Sequence, residues 1–307
     1  MRQLRAAVLT LVVPLVLSCT SGTSPETGSD AAGGTSPSAS QREDSATPEP
    51  ERRAARVPEV PSTGPAALAE ELDLAARTLR DPDATEADQR AAGELQQVAV
   101  RNLAGEPERF RRNVLARLDG ETAFVTRAGV RAARVLSAMT TPQRSLPRWR
   151  IFAPPAPERL RAHYRLAQRR IGVHWSYLAA IHLVETRMGR IRGTSTAGAR
   201  GPMQFLPATW QLYGAGGDIN DPRDAILAAA RLLRANGAPR DMAEALYHYN
   251  PSDSYVRAVS DYARAIRRSA TAYLGYWHWR VLYRHARGTY VLPVGYPRTR
   301  AVLLPES

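Results

Sequence analysis

From residue 66 onward apolar residues recur at intervals of three and four, the spacing that gathers side chains on one face of a helix. Leu68, Leu72, Ala75 and Leu79 form a first stripe, broken by Asp81-Pro82-Asp83. Thr85 with Asp88 has the form of a capping box and opens a second helix, with Leu95, Val98 and Leu103 along one side. Phe110, Val114 and Leu118 form a third stripe ended by Gly120; Phe124, Ala128, Ala132, Val135 and Met139 form a fourth. After a proline-rich stretch the spacing resumes in Leu160, Tyr164, Ala167 and Ile171, and again in Leu178, Ile181, Val184 and Met188. Asp221-Pro222 reads as a cap followed by a first-turn proline, starting a helix that runs to Asn236-Gly237. Two more helices are expected over Asp241 to Tyr249 and Tyr255 to Ala272. Only the tail, GTYVLPVGYP, alternates like a strand. The pattern predicts an all-α, or nearly all-α, fold.

The first 64 residues are different in kind. Arg2 and Arg5 precede an apolar run from Ala6 to Leu17, too short for a membrane span but of the length of a signal-peptide core. Val16-Leu17-Ser18-Cys19 resembles the lipobox of bacterial lipoproteins, and Cys19 is the only cysteine in the chain. In an exported protein a lone cysteine has no internal disulfide partner, so lipidation at Cys19 is the expectation, and an ordinary secretory signal the alternative. Residues 20–64 are rich in Ser, Thr, Gly, Pro and acids, with too few apolar side chains to offset the entropy of ordering. The expected organisation is a signal peptide over 1–19, a tether over 20–64, a helical domain over 65–140, a Pro-rich linker over 141–158, a catalytic domain over 159–275 and an extension over 276–307. On this division the chain from Ser145 onward is expected to fold without the preceding helices.

Within the apolar run GVHWSYLAAIHLVETRMG, Glu185 lies at the edge of the Leu178 stripe, and Gly189 reads as the helix stop. That puts Glu185 in the last turn, where burial and the negative end of the helix dipole both favour the protonated acid. A carboxylic acid kept protonated near neutral pH is what protonation of a glycosidic oxygen requires. An Arg-paired structural glutamate is the alternative, in a chain with 42 basic residues, all of them Arg.

Downstream, Ser195-x-x-Gly198-Ala199-x-Gly201-Pro202-Met203-Gln204 is followed by Ala245-Leu246 and Tyr249-Asn250. Preceded by Glu185-Thr186, this order resembles the catalytic domain of lytic transglycosylases, lysozyme-like enzymes that cut the glycan strands of peptidoglycan. The likeness covers roughly residues 160 to 265. Thr186 stands where the family pattern has Ser, Pro202 where it has Leu, and Pro251-Ser252 where Ala-Gly is common. The resemblance implies a lysozyme-like fold, Glu185 as general acid and then base, Ser195 near the reacting sugar, Met203 and Gln204 lining the sugar groove, Tyr249 bonded to the catalytic carboxyl and Asn250 supporting that corner.

Asp218, Asp221 and Asp224 are the nearest candidates for a second carboxylate, and the latter two are better explained as helix-start residues. With one acid, internal attack by the C6 hydroxyl of muramic acid is favoured over activation of water. GDINDPRD lacks the spacing of a calcium loop, and His174, His182, His248 and His278 lack zinc spacing, so no metal or cofactor is expected. A net charge of +13 favours anionic polymers at a cell surface. Nucleic acid is not an expected partner, since no recognition motif is present. The expectation is a monomeric enzyme tethered by its lipid to the outer face of the cytoplasmic membrane and acting on peptidoglycan. A hydrolytic muramidase and a non-catalytic wall-binding lipoprotein are the alternatives.

Overall fold

The structure is a computed structural model, described here over residues 57–305; Cys19 and residues 20–56 of the expected tether lie outside that range, while its last residues, 57–64, lie within it, with Pro61 buried and the Ser62 amide donating to the Glu71 carboxylate at 2.9 Å. In chain order, α1 (Pro65–Arg80), α2 (Glu86–Gly105), α3 (Glu108–Leu115) and α4 (Gly120–Ala138) lead through a short strand β1 (Arg150–Ile151) to α5 (Pro157–Ile171) and α6 (Trp175–Thr186). There follow β2 (Ile191–Arg192), α7 (Pro207–Tyr213), α8 (Pro222–Ala235), α9 (Met242–Tyr249), α10 (Asp253–Arg268), α11 (Ala270–His278) and the strands β3 (Val281–His285), β4 (Gly288–Leu292) and β5 (Val302–Leu303). The fold is mostly α, as the periodicity predicts. β1 pairs antiparallel with β2, and β3, β4 and β5 form an antiparallel sheet in that order.

Caps account for most helix starts. The Thr85 hydroxyl accepts from the Asp88 amide while the Asp88 carboxylate accepts from the Thr85 amide, so α2 begins in a full capping box. Asp221, Asp241 and Ser252 cap α8, α9 and α10. Two boundaries differ from expectation. Gly120 is not the end of the third helix but the first residue of α4, because Asp119 accepts from the Thr122 amide and so caps a new helix there. The helix expected over Tyr255 to Ala272 is two helices, because the Ser269 hydroxyl turns to accept from the Ala272 amide and restarts the chain as α11.

The expected boundary near residue 140 does not divide the hydrophobic core. Leu68, Leu72, Leu103 and Val130 share one cluster with Tyr164, Leu178, Ile181 and Tyr262. α4 lies along α10, fixed near the middle of both by Arg131, whose Nε and Nη2 donate to the two carboxylate oxygens of buried Asp261 at 3.2 and 2.8 Å. At one end the Ser252 hydroxyl reaches the Met139 sulfur at 3.7 Å. α2 lies against α11, with Gly93 at the crossing: a Cβ there would sit 2.6 Å from that of His278 and 2.8 Å from the Gly275 carbonyl. The Gln97 side chain then behaves as a piece of backbone, donating to the Arg280 carbonyl and accepting from the Arg280 amide, both at 2.8 Å. Nor is the proline-rich stretch a free linker. Ile151 pairs with Ile191, and with Val281, Tyr283, Leu292 and Tyr296 it forms a second, smaller core. Pairing of that strand, with the Ile151 amide donating to the Tyr296 carbonyl and its carbonyl accepting from the Gly295 amide, satisfies backbone groups that prolines on either side keep out of a helix.

Candidate active site

α6 carries Glu185 in its last turn and then stops, ahead of Gly189. Arg187 is already left-handed (φ 55°), and Met188 and Gly189 follow at 60° and 84°. Thr186 fixes this end. Its buried hydroxyl donates to the Pro202 carbonyl at 2.6 Å and accepts from the Gly189 amide at 3.1 Å, so one side chain ties the helix end to the Gly-Pro-Met-Gln turn.

That turn is built from the sequence upward. Arg200 and Phe205 exchange backbone hydrogen bonds of 2.8 and 2.9 Å, closing a hairpin whose tip is Gly201 to Gln204. Gly201 has φ 75°, and a Cβ there would fall 1.9 Å from the Ile219 carbonyl oxygen, so only glycine fits. Ser195 closes the preceding loop: its hydroxyl accepts from the Ala199 amide at 2.9 Å while its backbone pairs with the Ala199 carbonyl.

The Glu185 carboxyl accepts a 2.7 Å hydrogen bond from the Tyr255 hydroxyl. Glu185 as a residue is partly exposed, so one side of it opens outward. Burial nevertheless pushes its pKa up to about 7, against a smaller downward pull from the Tyr255 bond. Tyr255 itself is buried and its ring stacks on Tyr249, centroids 6.3 Å apart and planes within 4°. The desolvated neighbourhood and the nearby carboxyl both hold the Tyr249 and Tyr255 hydroxyls protonated.

Two expected roles change. Tyr249 does not bond Glu185: its hydroxyl donates to the Met203 carbonyl at 2.6 Å, which supports the hairpin tip from below. The partner of the carboxyl is Tyr255, one helix further on. Met203 does not line a groove, since its side chain is fully buried beneath the turn with Phe205 and Tyr249 in the main core. Gln204 is half-buried and left-handed (φ 50°), and its Nε2 donates to the Gly201 carbonyl at 3.0 Å. Asn250 is buried at the start of the α9–α10 connection, and its Oδ1 has no hydrogen-bond partner among the described residues. Tyr255 was legible in principle. With Val259, Tyr262 and Ile266 it occupies the buried stripe of α10, and a phenol on such a stripe needs an acceptor.

The aspartates are otherwise engaged. Asp218 accepts from the Asn220 amide at 2.8 Å, Asp221 caps α8 by accepting from the Asp224 amide at 3.0 Å, and Asp224 accepts from the Asp218 amide at 3.1 Å. What the arrangement can do chemically is hold one protonated carboxyl, oriented by a phenol, beside a rigid turn. Neither a curated protein nor a solved structure matches the chain. Its similarity to a known family lies in the segment that builds this corner, for residues 164–270 match the family model of the transglycosylase SLT domain.

Proposed function

We propose that this protein is a peptidoglycan lytic transglycosylase in which Glu185 acts first as general acid and then as general base. The observation that carries the reading is a single carboxyl, half-protonated near neutral pH, whose one strong partner is the Tyr255 hydroxyl. As the acid it gives its proton to the glycosidic oxygen between N-acetylmuramic acid and N-acetylglucosamine, and the C1–O bond breaks toward an oxocarbenium-like transition state. The carboxylate left behind takes the proton of the C6 hydroxyl as that oxygen bonds to C1, giving a 1,6-anhydro end and restoring the acid. No water is activated, in keeping with aspartates spent on caps and turns. Ser195, Gln204 and Asn250 are proposed to meet the sugar, Asn250 through its unpartnered amide oxygen. Cys19 is proposed to carry the lipid that holds the enzyme at the outer face of the membrane, as a monomer facing the wall.

Digestion of purified peptidoglycan followed by mass spectrometry tests the reaction. The expected products are lighter by one water than those of a hydrolase. Glu185→Gln keeps the shape and removes the proton donor, so turnover is expected to drop by about two to four orders of magnitude. Products ending in ordinary reducing muramic acid would point to a muramidase, and near-normal turnover in the Gln variant would remove Glu185 from the chemistry.

A further inference from the structure

A cleft of about 1040 Å³ opens beyond the Arg187 turn, walled by α2, α4, the 140–149 segment and β3. Glu185, Tyr249 and Tyr255 do not line it; of the segment that matches the transglycosylase family, only Arg187 and Tyr262 do. Its flat surfaces are aromatic, Trp149 meeting Tyr283 edge-on at 5.5 Å, with Trp279 beneath Arg187 at 5.8 Å from the guanidinium. Its charge is one-sided. Arg134, Arg187 and Arg284 line it, and Glu106 is the one acid among the lining residues that this structure describes.

Arg187 is the unusual member. Among the described residues its guanidinium makes one hydrogen bond, a long one from Nη1 to the Leu183 carbonyl at 3.4 Å, and has no carboxylate within ion-pair distance. Burial lowers its pKa, the sign of a cation short of solvent. Arg187 is half-buried over the Trp279 ring, and a partly desolvated guanidinium without an acid is a ready receptor for an anion from outside. Arg134 and Arg284 are held by main-chain carbonyls, of Ala104 in one case and of Ser137 and Thr140 in the other, so they too carry uncompensated charge. The Trp149 indole N–H is buried without an acceptor among the described residues. Cations backed by aromatic planes suit a carboxylate-bearing peptide.

Position selects the source of that peptide. Arg187 and Glu185 are separated by one residue, and the stem peptide of peptidoglycan hangs from the muramic acid whose bond Glu185 would cut. We propose that this cleft receives the stem peptide, with Arg187 as the receptor of a peptide carboxylate. The assignment rests on the transglycosylase reading for its choice of ligand, while the cleft itself does not.

The test is calorimetric titration of the full chain carrying Glu185→Gln, so that nothing turns over. Free tetrapeptide stem, the same peptide with its carboxylates amidated, peptide-free glycan chains and a polyol-phosphate polymer are the four probes. The free peptide is expected to bind. Amidation and Arg187→Gln are each expected to weaken it at least tenfold, the loss of one charge-assisted bidentate contact, with glycan affinity unchanged. Ser137→Trp, at an exposed lining position, fills the cleft without touching Arg187 and is expected to do the same. No peptide binding, an equal loss of glycan affinity, or tighter binding of the phosphate polymer than of the peptide would overturn the proposal. Cleavage of glycan by the wild-type chain without peptide binding by the Glu185→Gln chain would sink the cleft and spare the enzyme; peptide binding together with a wild-type chain that cuts nothing would do the reverse.

Discussion

The segment from Arg187 to Gln204 and the layer α1–α4 are built in opposite ways. The first holds six left-handed residues, three of them not glycine, and side chains fix its turns, Ser195 and Gln204 within it and Thr186 just before it. In the second no residue is left-handed, and it presents regular helices, with α2 and α4 capped by side chains. Non-glycine residues in that conformation cost roughly 1 kcal/mol or more apiece. The corner around Glu185 therefore depends on regular structure elsewhere to hold it in place. α4 supplies that by lying along α10, the helix that delivers Tyr255, and by clasping Asp261 with Arg131.

Removing the regular layer is the most severe way to break the comparison. A fragment from Ser145 to Ser307 loses α4, the partner of α10, and with it the Arg131 clasp on Asp261, a carboxylate buried in the intact chain. It is expected to be insoluble or molten, the reverse of what the division near residue 140 implies. A soluble fragment with sharp thermal unfolding and full turnover would show that α1–α4 are an accessory after all.

Within the irregular segment, Gly201→Ala is expected to cost roughly 3 kcal/mol or more, from the left-handed backbone and the collision with the Ile219 carbonyl together. Chemical denaturation measures it directly. Loss of well under 1 kcal/mol would mean that the turn is softer than its contacts imply.

The helices were legible because their signals are local: the spacing of apolar residues, the Thr85–Asp88 box, Asp221 before Pro222. Glu185, Gly201 and Gly198 stood out for a related reason, since a carboxylate on an apolar face and glycines in a short loop are conspicuous in one dimension. What was not legible came from contacts between distant residues. Tyr249 and Tyr255 are equally plausible partners for Glu185 in sequence, and only the stacking of α9 on α10 sends one hydroxyl to the Met203 carbonyl and the other to the carboxyl. Met203 reads as a groove residue until the hairpin is seen to fold its side chain inward. The close approach of α2 to α11 at Gly93, one of the contacts that join the two sides of residue 140, is a pairing without a local sign.

The raised pKa of Glu185 gives a subtler probe. Its folded value, about 7, lies above the ordinary 4.5, so the folded chain holds the proton more tightly than the unfolded one. Stability from this group is present in full below about 4.5 and is lost as pH climbs to about 7, with no further change above. The loss is at most about 3 kcal/mol, and Glu185→Gln should flatten it. Urea midpoints across that window, compared between the two proteins, read the difference. Parallel curves would mean that the carboxyl is better solvated than its surroundings indicate.

The smallest expected effect falls on Tyr255, and it separates positioning from packing. Tyr255→Phe keeps the ring that stacks on Tyr249, so the fold should be unchanged, and it removes only the hydroxyl that bonds Glu185. That bond stabilises the carboxylate, so without it the pKa of Glu185 rises further and the alkaline limb of the pH–rate profile should move to higher pH. At its new optimum kcat should be about fivefold lower, the worth of one ordinary hydrogen bond of about 1 kcal/mol, because the carboxyl is less firmly aimed, with KM little altered. The direction of the limb is the decisive reading, because a purely structural role for Tyr255 would lower kcat at every pH and leave the limb where it was. Tyr249→Phe is the matching control: its hydroxyl supports the Met203 carbonyl, so it should lower stability and leave the limb in place.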